Sequence, residues 1–276
     1  MSIMQLFGRN KNKKPHNYSI PAAQSGEAET NGSSLTSAKL AEFNSNPLLF
    51  RHKELGLVPD LPEKQDDVVC ATRMLILQGR EVFARTYVVG GPIDKSTGKP
   101  CSKYSCKFED WAKAQDKSVL HDDDAAVVEK MAASVRAHTH ASALLSRGEP
   151  NKVVRCLHAD ADCEASLDWV NPERGIVAID VCHSLDMLKW HAQRMGRGLA
   201  FDHAIYASLT GDIPGMYIIS IERVEPFRCG VSVFTPQALA TASKRNEEDI
   251  TRLIRCRQSN TWLTGYENIL SIDSID

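Results

Sequence analysis

Neither sign of charge dominates this chain, and that removes the simplest route to nucleic acid. Its 33 Lys and Arg stand against 35 Asp and Glu, a formal net charge of −2 over 276 residues. A chain so balanced has no global attraction for polyanions, so any nucleic-acid site must be a local basic patch. The eight cysteines include no CxxC pair. They read as reduced thiols rather than a disulfide framework, and Cys101 and Cys106 give only a weak zinc signal without histidines nearby. No apolar run reaches the length of a membrane span, and the N-terminus carries no apolar core of the signal-peptide kind. A cytoplasmic protein with no membrane partner is therefore expected. What is present is ordinary for a globular protein: 42% hydrophobic and 25% charged residues, enough for one large domain or two small ones.

Residues 1–33 read as a polar tail. A basic cluster at Arg9, Lys11, Lys13 and Lys14 precedes a stretch of Gly, Ser, Asn and Glu from Gln24 to Ser34, a composition that favours disorder. From 34 to 276 a single domain is expected, with its core at 149–235. Two short helices open it, the first burying Leu40 and Phe43 and the second starting at Asn46-Pro47, with proline at the tolerated first position. Val68–Gln78 is apolar enough for helix or strand, and Phe83–Val89 looks like a strand after it. Pro92–Phe108 reads as a lysine-bearing loop. Asp122–Leu145 has the strongest helical spacing, with an acidic triplet suited to its N-terminal dipole.

The organising stretch runs from Cys163 to Tyr206. Cys163, Ala165, Leu167 and Trp169 alternate with Glu164, Ser166 and Asp168, the period of two that marks a strand. After the turn Asn171-Pro172-Glu173-Arg174-Gly175, the β-branched run Gly175–Ser184 suits a strand covered on both faces. Asp168 and Asp180 then stand on adjacent strands of a hairpin, and two carboxylates so placed can hold a hard divalent cation. A mixed sheet from about 151–158, 162–170, 175–183 and 215–225 is predicted, with helices on both faces. A long helix opening at Thr235-Pro236 follows.

The segment Asp180–Tyr206 resembles the core of the PD-(D/E)XK nucleases, and within them the exodeoxyribonuclease VIII (RecE) nuclease domain. Asp180, Asp186, Trp190, Ala204 and Tyr206 fall where that pattern places similar residues. The resemblance extends over residues 34 to 266. It implies an α/β (α+β) restriction-endonuclease-like core, a mixed β-sheet flanked by helices. It also implies Mg²⁺ as cofactor, duplex DNA ends or a recombination protein as partner, and a homo-oligomer threaded by DNA. The family's lysine, two residues after the strand aspartate, is Cys182 here, and its glutamine is Asp202. Its histidine position, counted back from Phe83, is Met74, and its glutamate position is Asn151, with Glu149 the nearby acid able to substitute.

The resemblance thus implies catalytic positions at Asp168, Asp180, Cys182, Asp202 and Tyr206, and metal ligands at Asp168, Asp180 and Glu149. DNA contacts fall to Lys95, Lys99, Lys189 and Arg194. Three function classes stay open. One is a nuclease with migrated groups, Lys189 or Arg194 for the lysine and Glu149, His183 or Asp202 for ligands. Another is a silent relative that binds DNA or a partner. The third is a soft-metal site of Cys182 and His183 with Asp180 or Asp168. Cysteine is shorter than lysine and uncharged, so it cannot orient a water or meet a phosphate as lysine does. Little or no Mg²⁺-dependent cleavage is the expectation.

Overall fold

The computed structural model describes residues 18–19, 34–59, 66–211, 214–264 and 267. The basic cluster at 9–14 and the polar stretch at 24–33 lie outside them. In chain order the elements are β1 (Tyr18–Ser19), α1 (Ser37–Ser45), α2 (Pro47–Glu54), α3 (Asp67–Leu77), α4 (Gly79–Thr86), β2 (Tyr87–Val89), α5 (Cys106–Lys113), β3 (Ser118–Leu120), α6 (Asp122–Ala137) and α7 (Thr139–Leu145). Then come β4 (Glu149–His158), β5 (Ala161–Asn171), β6 (Gly175–Cys182), α8 (Leu188–Thr210), β7 (Gly215–Glu222), β8 (Cys229–Val233), α9 (Pro236–Ser259) and β9 (Thr261–Trp262). The described residues fall into two compact units, one drawn from 18–19, 38–59, 248–264 and 267, the other from 34–37, 66–211 and 214–247.

In the first unit Phe43 is fully buried and meets Phe50 and Trp262 edge-on, with ring centroids 5.7 and 6.4 Å away. Asn46 caps α2 by accepting the Leu49 N–H, and Pro47 takes the first helical position, where a missing N–H costs nothing. Two arginines of α9 are tied down here, Arg252 to Asn44 and Arg257 to Glu54.

The second unit is built on a five-stranded mixed sheet of order β4-β5-β6-β7-β8, with β6 and β7 parallel and the other pairs antiparallel. Val177, Ile179, Ile219 and Ile221 pack against α3, α6 and α7 through Val68, Ala71, Leu75, Val128, Met131, Val135 and Leu144. Strand alternation sends Ile176, Ala178, Asp180 and Cys182 to the opposite face. The helix α8 packs against β4, β5, β6 and β7, burying Ala200, Phe201 and Ile205. Gly175 has φ 115°, and a Cβ there would lie 2.2 Å from the Gly215 carbonyl oxygen. Only glycine lets β6 and β7 start so close.

The predicted central strands are in place, and two helical expectations need correction. Phe83 lies in α4 rather than in a strand, because Gly79–Thr86 buries it on one helical face and only Tyr87–Val89 is extended. Asp122–Leu145 is two helices, broken at His138 (φ −79°, ψ 116°), whose Nδ1 accepts the Ala141 N–H and caps α7. Spacing alone could not show that break, since both halves keep the same apolar period.

Candidate functional site

Strands β5 and β6 form a fork. They pair at Asn171–Gly175, Val170–Ile176 and Trp169–Val177 and then part. The gap leaves the Ile179 N–H and C=O without a strand partner on that side, and unmet buried amides are costly. Asp168 and Arg73 fill it. Asp168 Oδ2 accepts the Ile179 N–H at 2.8 Å, Arg73 Nη1 donates to the Ile179 carbonyl at 3.2 Å, and Arg73 Nη2 pairs with Asp168 Oδ1. Farther along β5 its freed edge is taken by Leu35, whose N–H donates to the Asp162 carbonyl (2.7 Å) and whose carbonyl accepts the Glu164 N–H (2.9 Å).

Asp202 of α8 lies near enough to Asp168 for their charges to interact. Burial pushes its carboxyl up to about 7, the neighbouring Asp168 charge adds to the rise, and a hydrogen bond with the Ser37 hydroxyl opposes it. Its Oδ1 is buried with no hydrogen-bond partner. Asp168 is also raised by burial, against the opposing pull of the Arg73 guanidinium and the Ile179 N–H. The Arg73 guanidinium, Asp168 and a second carboxyl raised to about 7 therefore interact here.

The adjacent face of β6 and β7 carries a second group. Parallel register sets Asp180 beside Ser220 and Cys182 beside Glu222. The Ser220 hydroxyl donates to Asp180 Oδ2 at 3.3 Å. Cys182 is buried, and burial, with the charges of Asp180 and Glu222, pushes its thiol above its ordinary value, so at neutral pH it is a thiol and not a thiolate. Glu222, its side chain 3% exposed, accepts both guanidinium contacts of Arg228, at 2.5 and 2.7 Å, and the N–H groups of Leu185 and Arg228. Those donors hold its carboxyl down at about 2. Arg228 also reaches Asp186 at 3.1 Å.

Several predicted site residues are elsewhere. Glu149 is exposed at the start of β4 and pairs with Lys152 (3.4 Å). The β4–β5 register sets Asn151 opposite Asp168, between the pairs Pro150–Trp169 and Lys152–Leu167. It has φ 52°, a left-handed backbone that asparagine tolerates better than glutamate. Met74 packs against the apolar core; its neighbour Arg73 is the α3 residue that reaches the site. Tyr206 is half-buried with Lys152 Nζ 5.9 Å over its ring. Cys182 is buried and His183 exposed, on opposite sides of the strand end, so they cannot share one soft ion. Lys95 and Lys99 are exposed in the loop, whereas Lys103 and Lys107 are committed to Asp124 and Asp94. Lys189 and Arg194 are exposed on α8, with Arg194 5.5 Å over the Trp190 ring.

The arginines and Glu222 were missed in the sequence. The available signals were a charge inside the apolar run Val68–Leu77 and an acid inside the apolar run Met216–Ile221 extended by one residue.

These residues do not fit Mg²⁺, which asks for several convergent oxygens. Both Asp168 oxygens are engaged, one of them by a guanidinium that would repel a second cation. Among the described residues no group of three or more His, Cys, Asp or Glu is arranged to hold a metal ion.

Residues 86–273 match a family described as a PDDEXK-like domain of unknown function, DUF3799. The crystal structure of a candidate exonuclease from Eubacterium rectale has the same fold: TM-score 0.59 at 11% identity, covering 94% of this chain and 97% of that one. No curated protein matches the chain.

Proposed function

This chain belongs to the PDDEXK-like family DUF3799, and on that premise we propose that it is an exodeoxyribonuclease VIII-like DNA-processing protein whose nuclease fold binds DNA ends without cleaving them. The carrying observation is that Asp168 is already held by other groups and that, among the described residues, no cation free of partners stands beside Asp180 in place of the lysine. Asp168 is held by Arg73 and Ile179, Asp180 is bonded to Ser220, and the position two residues on is an uncharged buried thiol. The nearby cation Arg228 is tied to Glu222 and Asp186. Lacking a single transition-state donor costs on the order of 10² to 10³ in rate, and here the lysine and the metal set are compromised together.

The start of α8 supports the binding half of the reading. From Leu188 to Phe201 it carries Lys189, Arg194 and Arg197 and no acidic residue, and Trp190 and Met187 are exposed beside them. Basic side chains interleaved with an exposed aromatic can meet phosphates and stack on an unpaired end base. Lys95 and Lys99 supply two further charges on a loop of the same unit.

The test is incubation of end-labelled duplex with wild type and Asp180→Ala in Mg²⁺, alongside fluorescence anisotropy of the same duplex. We expect no cleavage above the Asp180→Ala background. Binding should weaken with salt and fall at least about tenfold in Lys189→Ala/Arg194→Ala, as expected for the loss of two phosphate contacts. Brisk cleavage abolished by Asp180→Ala would establish the competing reading, an active Mg²⁺-dependent exonuclease with migrated groups. Absence of binding would move the function to a protein partner. Light scattering with and without duplex tests the accompanying proposal of a homo-oligomer.

A further inference from the structure

We propose that the Arg73 guanidinium is a built-in replacement for a divalent cation at the β5–β6 fork, so that the central sheet is completed by a side chain and is indifferent to Mg²⁺ and Mn²⁺. Two oxygens converge at the fork, a carboxylate oxygen of Asp168 and the Ile179 carbonyl oxygen, and both are met by Arg73. An anionic and a carbonyl oxygen side by side are the donors a hard cation takes. A guanidinium matches the same pair because its planar fork offers two N–H groups to two acceptors and stays charged at every accessible pH.

The arginine is delivered rigidly. Helix α3 is capped by Asp66, which accepts the Val68 and Val69 N–H groups. Val68, Ala71 and Leu75 anchor the helix in the core on the side facing the sheet. The span matching the family begins at residue 86, so Arg73 lies outside it and the device belongs to the preceding helix.

Asp168 is the shared premise of this proposal and of the non-cleaving reading, but the two fail separately, because the test here is stability and uses no DNA. Melting of the whole chain is compared in EDTA and in millimolar MnCl₂ for wild type, Arg73→Met and Arg73→Met/Asp168→Asn. Methionine keeps the apolar stem and removes the charge. Wild type should melt at the same temperature in both buffers, to within about 1 °C. Arg73→Met should melt roughly 5–10 °C lower in EDTA, the scale expected for stranding a buried charge in a chain of this size. Mn²⁺ should recover at least about half of that loss, by mass action on the folded state. The double variant should recover without metal and ignore Mn²⁺.

An unchanged Arg73→Met would overturn the proposal, as would a destabilised one that ignores Mn²⁺, which would make the contact a plain ion pair. So would a wild-type stabilisation by Mn²⁺ that disappears in Asp168→Asn. If Arg73→Met folds in neither buffer, calorimetric titration of wild type with MnCl₂ decides: heat of binding lost in Asp168→Asn overturns the proposal, and its absence supports it.

Discussion

Glu222 and Asp202 are both carboxyls taken from water within the same unit, and they titrate in opposite directions. Glu222 receives two guanidinium contacts and two backbone N–H groups and is held near 2. Asp202 meets the Ser37 hydroxyl, lies close to another acid, leaves one oxygen unbonded and rises to about 7. Burial acts on both in the same sense. The number and charge of the donors decide which acid keeps its proton. The first arrangement is a completed structural joint, tying the Leu185 turn before α8 to β7. The second is an unfinished polar site, a buried carboxyl oxygen left without a donor.

The comparison breaks most visibly at Glu222. Glu222→Ala should cost about 3 kcal/mol in urea unfolding at neutral pH, toward the lower end for a buried pair because Arg228 is half-exposed and can rehydrate. A loss under about 1 kcal/mol would mean the joint is redundant.

Asp202 should respond with the opposite sign. Its folded carboxyl holds a proton up to about 7 while the unfolded one releases it near 3.8. The folded state therefore binds more protons between those values, and stability falls as pH rises through the window. Asp202→Asn should be more stable than wild type by roughly 1–3 kcal/mol at pH 8, after allowance for relaxation around the site. It should also flatten the profile between about pH 4 and 7. Melting temperatures across that range check both; a wild-type profile already flat there would show that Asp202 is solvated.

Two smaller effects sharpen the contrast. Arg228→Lys keeps the charge beside Glu222 but loses the planar two-point contact, and should cost about 1–2 kcal/mol by the same unfolding measurement. Asn151→Glu would add a carboxylate opposite Asp168. It must do so from a backbone at φ 52°, so it should destabilise by about 1 kcal/mol. An Asn151→Gly control should not share that cost, and equal losses in both would show that the asparagine side chain, rather than its backbone tolerance, is what matters there.

The central hairpin was readable because strand alternation and a proline–glycine turn are local features. Asp168, Asp180 and the cysteine two residues beyond it followed from the same stretch. The α3 residue of the site did not. Counting back pointed to Met74, which packs in the core, whereas Arg73 beside it reaches the fork; one residue rotates a side chain by about 100° around a helix, enough to exchange one contact for the other. The strand assigned to Phe83 failed for a related reason: a short amphipathic run can satisfy either period until its packing partners are known.

By itself the sequence determined the order of the central strands, the positions of the acids along them, and an uncharged cysteine two residues after Asp180, because these depend on spacing and residue type. Tertiary structure alone decided that β5 and β6 part at Asp168 and that a guanidinium from a helix some ninety residues earlier fills the gap. It alone decided that the Glu222 carboxyl is held down at about 2 and the Asp202 carboxyl pushed up to about 7. Those outcomes rest on desolvation and on donors brought from separate elements, and neither quantity exists until the chain has packed.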